Sequence, residues 1–220
     1  MTPLPDDPTL DEVRAYLAPR LAGHAAFDGW NRAALVSAAH EASLDPAMVA
    51  LAFSGGATDM IDAWFEWLDN AMVRVVSPDM LSAQKVREKI TTLIEARLEL
   101  LAPNREALRR AQAILAMPQN LPKAGRLGWR AADQMWRLAG DSTTDFNHYS
   151  KRVILAGVYA ATLLVFLSDE SGNWTETRAF LARRIDGIIR FEKAKGQWQA
   201  RAERRPSLAR FVGRLRYPAI

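Results

Sequence analysis

Apolar residues recur every three or four positions along most of the chain, and alternating strand-like runs are nearly absent. The pattern predicts an all-α protein. A first helix is expected within residues 9–23, capped by Thr9, with Asp11 and Glu12 in its first turn. Pro19 predicts a kink or an early end to it, and Gly23 its close. A second helix is expected near Trp30–Ala42. In SLDPAMVALAFSGG, Asp45 reads as a cap, Pro46 as the first helical residue, and Gly55–Gly56 as the end of a short third helix. Two short helices joined by about three residues have the length pattern of a helix-turn-helix.

The next stripe is the clearest, with Ile61, Trp64, Phe65, Leu68, Met72, Val75 and Val76 stepping by three or four. Val86, Ile90, Leu93, Ile94 and Leu101 repeat it after Ser77–Pro78. Pro103 breaks the pattern, and Asn104 can cap a helix to near Met117. Residues 123–139 read as helix up to Gly140, and DSTTD as a loop whose Ser142 or Thr144 can start the next one. Asn173 with Glu176 resembles a capping box, opening a helix to near Lys195 with Trp174, Leu181, Ile185 and Ile188 along one side. The expected organisation is a helix-turn-helix-like part over 1–56, a helical bundle over 57–195 and a basic tether with a terminal helix over 196–220.

Within the bundle, VILAGVYAATLLVFL (153–167) carries no charge. At 1.5 Å per residue it spans roughly 22 Å, short of a ~30 Å hydrocarbon core. A helix apolar all round is expected to be buried on all sides at the bundle's centre. Its small residues Ala156, Gly157, Ala160, Ala161 and Thr162 either let neighbours approach closely or leave a cavity. Such a cavity, lined by Tyr159, Leu163 and Phe166, would be dry and suited to apolar ligands.

Composition narrows the chemistry. The 220 residues include no cysteine and only three histidines, His24, His40 and His148, which leaves no thiolate chemistry and little basis for a metal site. No nucleotide, metalloprotease or nucleophile-elbow motif is present, so no catalytic residue is assigned and no cofactor is expected. The opening MTPLPDDPTLDE is acidic and lacks an apolar run, unlike a secretory or mitochondrial leader. The expected location is the bacterial cytoplasm, peripheral on the inner membrane, or the mitochondrial matrix face.

Charge is uneven. Residues 196–220 hold Arg201, Arg204, Arg205, Arg210, Arg214 and Arg216 against Glu203, so the net +4 leaves the first 195 residues close to neutral. After Ser207, the residues Leu208, Phe211, Val212 and Leu215 form one apolar stripe. Arg210 and Arg214 lie off it, with Trp198 and Tyr217 nearby. That is the composition of an interfacial helix on an anionic membrane; a helix docked on the bundle or on a partner subunit is the alternative. DNA binding is not expected. Between Arg32 and Arg74 there is no Lys or Arg, while Glu41, Asp45, Asp59, Asp62, Glu66 and Asp69 fall in that window.

Residues 135–197 carry a specific pattern. Trp136, Ala139, Gly140, Asp141, Thr144, Asp145, Phe146, Asn147 and Tyr149 precede Lys151–Arg152 and the small-rich apolar helix; Phe180, Leu181, Arg183, Arg184, Ile185 and Asp186 follow. With FDGW (27–30) and LDPAMV, this resembles the Coq-nine family of ubiquinone-biosynthesis accessory proteins. The resemblance implies a TetR-like bundle without DNA binding, a homodimer, a C-terminal membrane helix, and docking to the di-iron demethoxyubiquinone hydroxylase. It implies a non-enzymatic protein that takes an isoprenoid, quinone or phospholipid among Leu155, Tyr159, Leu163, Phe166, Phe180, Ile185 and Ile188. The implied hydroxylase-facing patch is Met135, Asp145, His148 and Tyr149, with His148 where the family commonly has Trp. Arg152 is expected to brace the loop before it. A TetR-like ligand-responsive regulator is the alternative function.

Overall fold

A computed structural model describes the backbone of residues 4–141 and 146–203, without the side chains of Phe146, Asn147, Ile189 and residues 191–203. Every regular element among the described residues is helical. The helices are α1 (Leu10–Asp28), α2 (Arg32–Glu41), α3 (Pro46–Ala52), α4 (Ala57–Val75), α5 (Pro78–Ser82), α6 (Val86–Leu101), α7 (Arg105–Leu115), α8 (Leu121–Leu138), α9 (Phe146–Ser168) and α10 (Thr175–Glu203). Two compact units divide the chain, residues 1–181 and 182–220.

In the first unit, α1 packs on α2, α3, α4 and α7. Thr9 caps it as expected and, with Glu12, forms a capping box. The helix runs through Pro19 to Asp28 rather than ending near Gly23. Pro19 costs about 3 kcal/mol in a helix interior. Val13, Leu17, Ala18, Leu21, Ala22 and Ala25 are all fully buried, and that apolar burial outweighs it. Gly29 ends the helix at φ 81°, its N–H bonded to the Ala25 carbonyl. Asn31 caps α2 and Asp45 caps α3. Arg14 ties this part together, donating to the Ala52 carbonyl at 2.6 Å and to Asp59 at 2.6 and 2.9 Å.

α4, α6, α8 and α9 make the second half of the unit, with α8 packed on α9 and α4 on both α6 and α8. The short α5 was not anticipated; Ser77 caps it and Pro78 opens it. Asn104 makes no side-chain cap, since a 3₁₀ turn over Ala102–Asn104 leads directly into α7. The start of α10 also differs from expectation. Asn173 sits at φ 56° and does not cap. Asp169 does that work instead, accepting from the Thr177 N–H at 2.8 Å, and the Ser171 hydroxyl accepts from Glu176 N–H at 3.2 Å. At the other end, α10 continues past Gly196 to Glu203, so the expected tether is helical that far.

The apolar helix α9 is not buried on all sides. Arg152, Leu155, Tyr159, Thr162, Leu163 and Phe166 form its buried face, while Val153 and Leu164 are 61% and 62% exposed. Gly157 and Ala160 share that outer face with them. Of the small residues, Ala156 meets Gly128 of α8, where a Cβ on the glycine would lie 3.7 Å from it. The small side chains therefore serve the α8–α9 crossing and the outer face rather than one internal void. The stretch His148–Ser168 is long and apolar enough to cross a membrane, with mean hydropathy 1.6, yet its inner face is packed into the bundle. The second unit contains the rest of α10, which is helical to Glu203.

Candidate functional site

Two clusters in the first unit bring chemistry-bearing residues together. The first is internal. Arg97 sits in the apolar stripe of α6 and is fully buried. Its Nε donates to the Tyr159 hydroxyl at 3.0 Å and its Nη1 to Asp69 at 2.5 Å. Asp69 also accepts from Arg130 at 2.8 Å, and Arg130 donates to Asp62 at 2.7 Å. Lys123 completes the chain on Asp62 at 2.5 Å. Burial pushes the Asp62 carboxyl up, but hydrogen bonds from Lys123 and Arg130 outweigh it and hold the group below its ordinary range. For Arg97, burial is likewise overcome, by Tyr159 and Asp69, so it stays charged. Burial raises the Tyr159 phenol, so it stays protonated.

The second cluster lies where α8 ends and α9 begins. Arg152 is buried and donates to Asp133 at 2.6 Å, to Asp141 at 3.2 Å and to the His148 carbonyl at 3.0 Å. Lys151 bonds Asp141 at 2.8 Å and lies 5.4 Å over the Trp136 ring, whose Nε1 donates to the Lys151 carbonyl. On this frame stand three aromatic rings. Trp129 stacks on Tyr149 at 5.9 Å, and His148 meets Tyr149 edge-on at 5.2 Å. Tyr149 is 60% exposed. Arg152 thus ties Asp133 and Asp141, within and just after α8, to the first turn of α9.

Of the other residues singled out in the sequence, Met135 is fully buried. It offers no exposed thioether, because its position on α8 turns it inward. Asp145 lies outside the described residues, as do Leu208, Arg210, Phe211, Val212, Arg214 and Leu215. Leu155, Tyr159, Leu163 and Phe166 share the buried face of α9, and Phe180 is half-buried on α10. In the second unit, Ile185 is buried and Ile188 half-buried. Among the described residues no group of acids and histidines could hold a metal ion. A groove of about 710 Å³ lies elsewhere, between α1 and α4, lined by Tyr16, Trp67 and Arg74 among others.

Sequence reasoning missed Trp129, Arg97 and Asp69. A signal for each existed. Trp129 shares a helical face with Asp133 and Trp136, and Arg97 and Asp69 occupy positions inside apolar stripes where a charge demands a partner. The acidic window 41–69 also means something different from surface repulsion. Asp59, Asp62 and Asp69 are in ion pairs between helices, and Glu41 pairs with His24.

The family comparison covers this second cluster together with Lys123, Arg130 and Tyr159 of the first. Residues 121–192, which hold α8, α9 and the aromatic rings, match the COQ9 family model. The chain carries the COQ9 domain. It is 31% identical over 167 residues to the mitochondrial ubiquinone biosynthesis protein COQ9 of Rattus norvegicus, covering 73% of this chain and 54% of that one. For the Homo sapiens protein the identity is 30%, covering 73% and 52%. For that of Drosophila melanogaster it is 28%, covering 86% and 59%. The chain spans about half the length of these COQ9 relatives. In structure it is similar to the TetR transcriptional regulator from Nitrosomonas europaea, with TM-score 0.63 and 22% identity over 79% of this chain and 96% of that one. That likeness shows the fold, an all-helical TetR-like architecture.

Proposed function

We propose that this chain is a non-catalytic accessory protein of ubiquinone biosynthesis. In this reading it holds a quinone-pathway lipid in the bundle and presents it to a di-iron hydroxylase at a membrane surface. The observation that carries the reading is the coincidence of the COQ9 match with α8, α9 and the rings of Trp129, His148 and Tyr149. An exposed tyrosine backed by two half-buried rings on an ion-paired frame suits a protein partner. A homodimer through the outer face of α9 belongs to the same reading. Val153, Gly157, Ala160 and Leu164 give that face large apolar ends and a small-residue middle where a second helix can approach closely. The arginine-rich segment after Glu203 would supply contact with an anionic bilayer.

The regulator alternative needs a cationic recognition helix. α3 reads PAMVALA and exposes Leu51 at 63%; nothing on it seeks phosphate. The test is to purify the protein, extract bound lipid and identify it by mass spectrometry, then measure binding to the purified hydroxylase. A co-purifying quinone precursor and a stable complex are expected. Recovery of neither, at any detergent concentration, would remove the reading.

A further inference from the structure

The corner where α4 gives way to α6 is pinned from inside. Val76 and Leu81 are buried there. Between them Ser77 accepts from the Met80 N–H at 3.3 Å and Pro78 opens α5. So held, the segment turns its other apolar side chains outward. Val75, Met80 and Val86 are each about half exposed, and Val73 nearly so. Among the described residues twelve large apolar side chains are exposed, and four of them fall within residues 73–86. Scattered singly, such residues need no explanation; gathered at one corner they mark a contact surface.

Charge indicates what kind of contact. No Lys or Arg occurs between Arg32 and Arg74; then Arg74, Lys85, Arg87 and Lys89 follow within sixteen residues, against Asp79 and Glu88. Arg74, Lys85 and Arg87 are exposed. Glu88 is turned back on the start of α6, where it accepts from the Lys85 N–H at 2.9 Å. The corner is therefore a set of aliphatic side chains rimmed by cations. Valine is under-represented among the residues that anchor protein interfaces. An interfacial membrane contact draws instead on buried apolar area together with attraction to anionic lipid.

We infer that this corner is a membrane contact of the bundle itself, in which Val75, Met80 and Val86 enter the headgroup region of an anionic bilayer and Arg74 and Lys85 meet lipid phosphates. This rests on the reading of the chain as a protein of the membrane surface, and it names a part of the bundle that touches that surface. A few valines and one methionine bury little area, so the corner alone holds weakly. It acts together with the arginine-rich segment after Glu203, and loss of either contact releases the protein.

The chain has no cysteine, so Met80→Cys places a single environment-sensitive fluorophore in the full-length protein. Its emission is followed on adding vesicles of phosphatidylcholine and phosphatidylglycerol in equal parts, with and without a quencher on the acyl chain. A blue shift and quenching are expected at position 80. Neither is expected at position 27, where Phe27→Cys puts the same fluorophore on the exposed end of α1. Met80→Ser combined with Val86→Ser removes no buried side chain. It is expected to lower partition into the same vesicles at least fivefold at low salt, with helicity unchanged, and Lys85→Glu is expected to act in the same direction. If the protein floats with the vesicles while the fluorophore at 80 stays unshifted, the corner contact is overturned and the membrane reading stands on the terminal segment. If the protein floats with no anionic vesicle, both fall. Equal shifts at 27 and 80 overturn it too, because insertion would then be indiscriminate. So does a shift at 80 that needs the purified hydroxylase and no vesicle, which would hand the corner to a protein partner.

Discussion

Arg152 of α9 reaches Asp133 of α8 at 2.6 Å from a side chain that is itself almost wholly buried. The same guanidinium holds Asp141 and the His148 carbonyl. One residue thus joins the end of α8 to the first turn of α9. Removing the buried guanidinium takes charge-assisted hydrogen bonds from Asp133, Asp141 and the His148 carbonyl, at a cost of about 2 kcal/mol. Arg152→Met is expected to lower unfolding stability in urea by about that amount and to weaken hydroxylase binding as well. Lys151 still pairs with Asp141 and the exposed Arg137 with Asp133, each at 2.8 Å, so both carboxylates keep one counter-charge and lose the buried one. Arg152→Met paired with Asp133→Leu is expected to recover part of the stability, since an apolar pair replaces an ionic one.

The aromatic patch yields predictions of both signs. Tyr149 offers the most exposed ring, with Trp129 stacked behind it and His148 at its edge. Tyr149→Ala is expected to weaken binding to the hydroxylase at least tenfold by calorimetry. His148→Trp enlarges the apolar area of the same patch. An added aromatic contact contributes roughly 1 kcal/mol, so binding is expected to tighten several-fold with little change in thermal stability. Unchanged affinity in both variants would place the partner surface elsewhere.

Much of this was readable in the sequence, and the misses have physical causes. Thr9, Asn31, Asp45 and Ser77 cap helices because a short polar side chain before an apolar run satisfies orphan N–H groups locally; the sequence shows Thr9 and Asp45 in that role. Pro19 misled because tertiary burial along α1 exceeds a local penalty. Asn173 misled because Asp169, six residues before Thr175, outcompetes it from within the fold. The one-sided burial of α9 could not be read from VILAGVYAATLLVFL, since a run without polar residues has no amphipathic contrast to show which face is inside. The ion pairs of Asp62 and Asp69 depend on α8 arriving from more than 60 positions away, which no local pattern records.

That outer face of α9 makes its own prediction. Val153 and Leu164 lie three helical turns apart on it, with Gly157 and Ala160 between. Leu164→Glu places a charge at one end of the expected dimer contact without touching the core, because Leu164 is 62% exposed. Light scattering is expected to show a dimeric wild type and a monomeric variant with unchanged helicity. A wild type that is monomeric at micromolar concentration would reject the homodimer.

For the segment beyond Glu203, truncation of residues 204–220 is expected to abolish flotation with vesicles of anionic phospholipid at low salt. Binding of the full chain is expected to weaken steeply as salt rises, since arginines supply the attraction. Flotation that survives truncation would assign membrane contact to the bundle instead.

Asp169 gives the clearest dependence on pH. It is buried at the end of α9. Its Oδ1 accepts from the Ser171 N–H at 2.8 Å and hydroxyl at 2.5 Å, and its Oδ2 from the Thr177 N–H at 2.8 Å and hydroxyl at 2.5 Å. Burial alone would raise this carboxyl, but the four donors favour the charged form and hold it far below its ordinary range. A folded value below the unfolded one means the carboxylate contributes stability above about pH 4, and that contribution is lost as pH falls towards the folded value. Asp169→Asn replaces one acceptor by a donor facing groups that already donate. It is expected to cost about 2 kcal/mol at neutral pH. The gap between wild type and variant should stay level from pH 8 to about pH 5 and narrow below about pH 4 as the wild type loses its advantage. Urea unfolding at each pH measures it; a gap constant down to pH 2 would mean that the charge on Asp169 does not join α9 to α10.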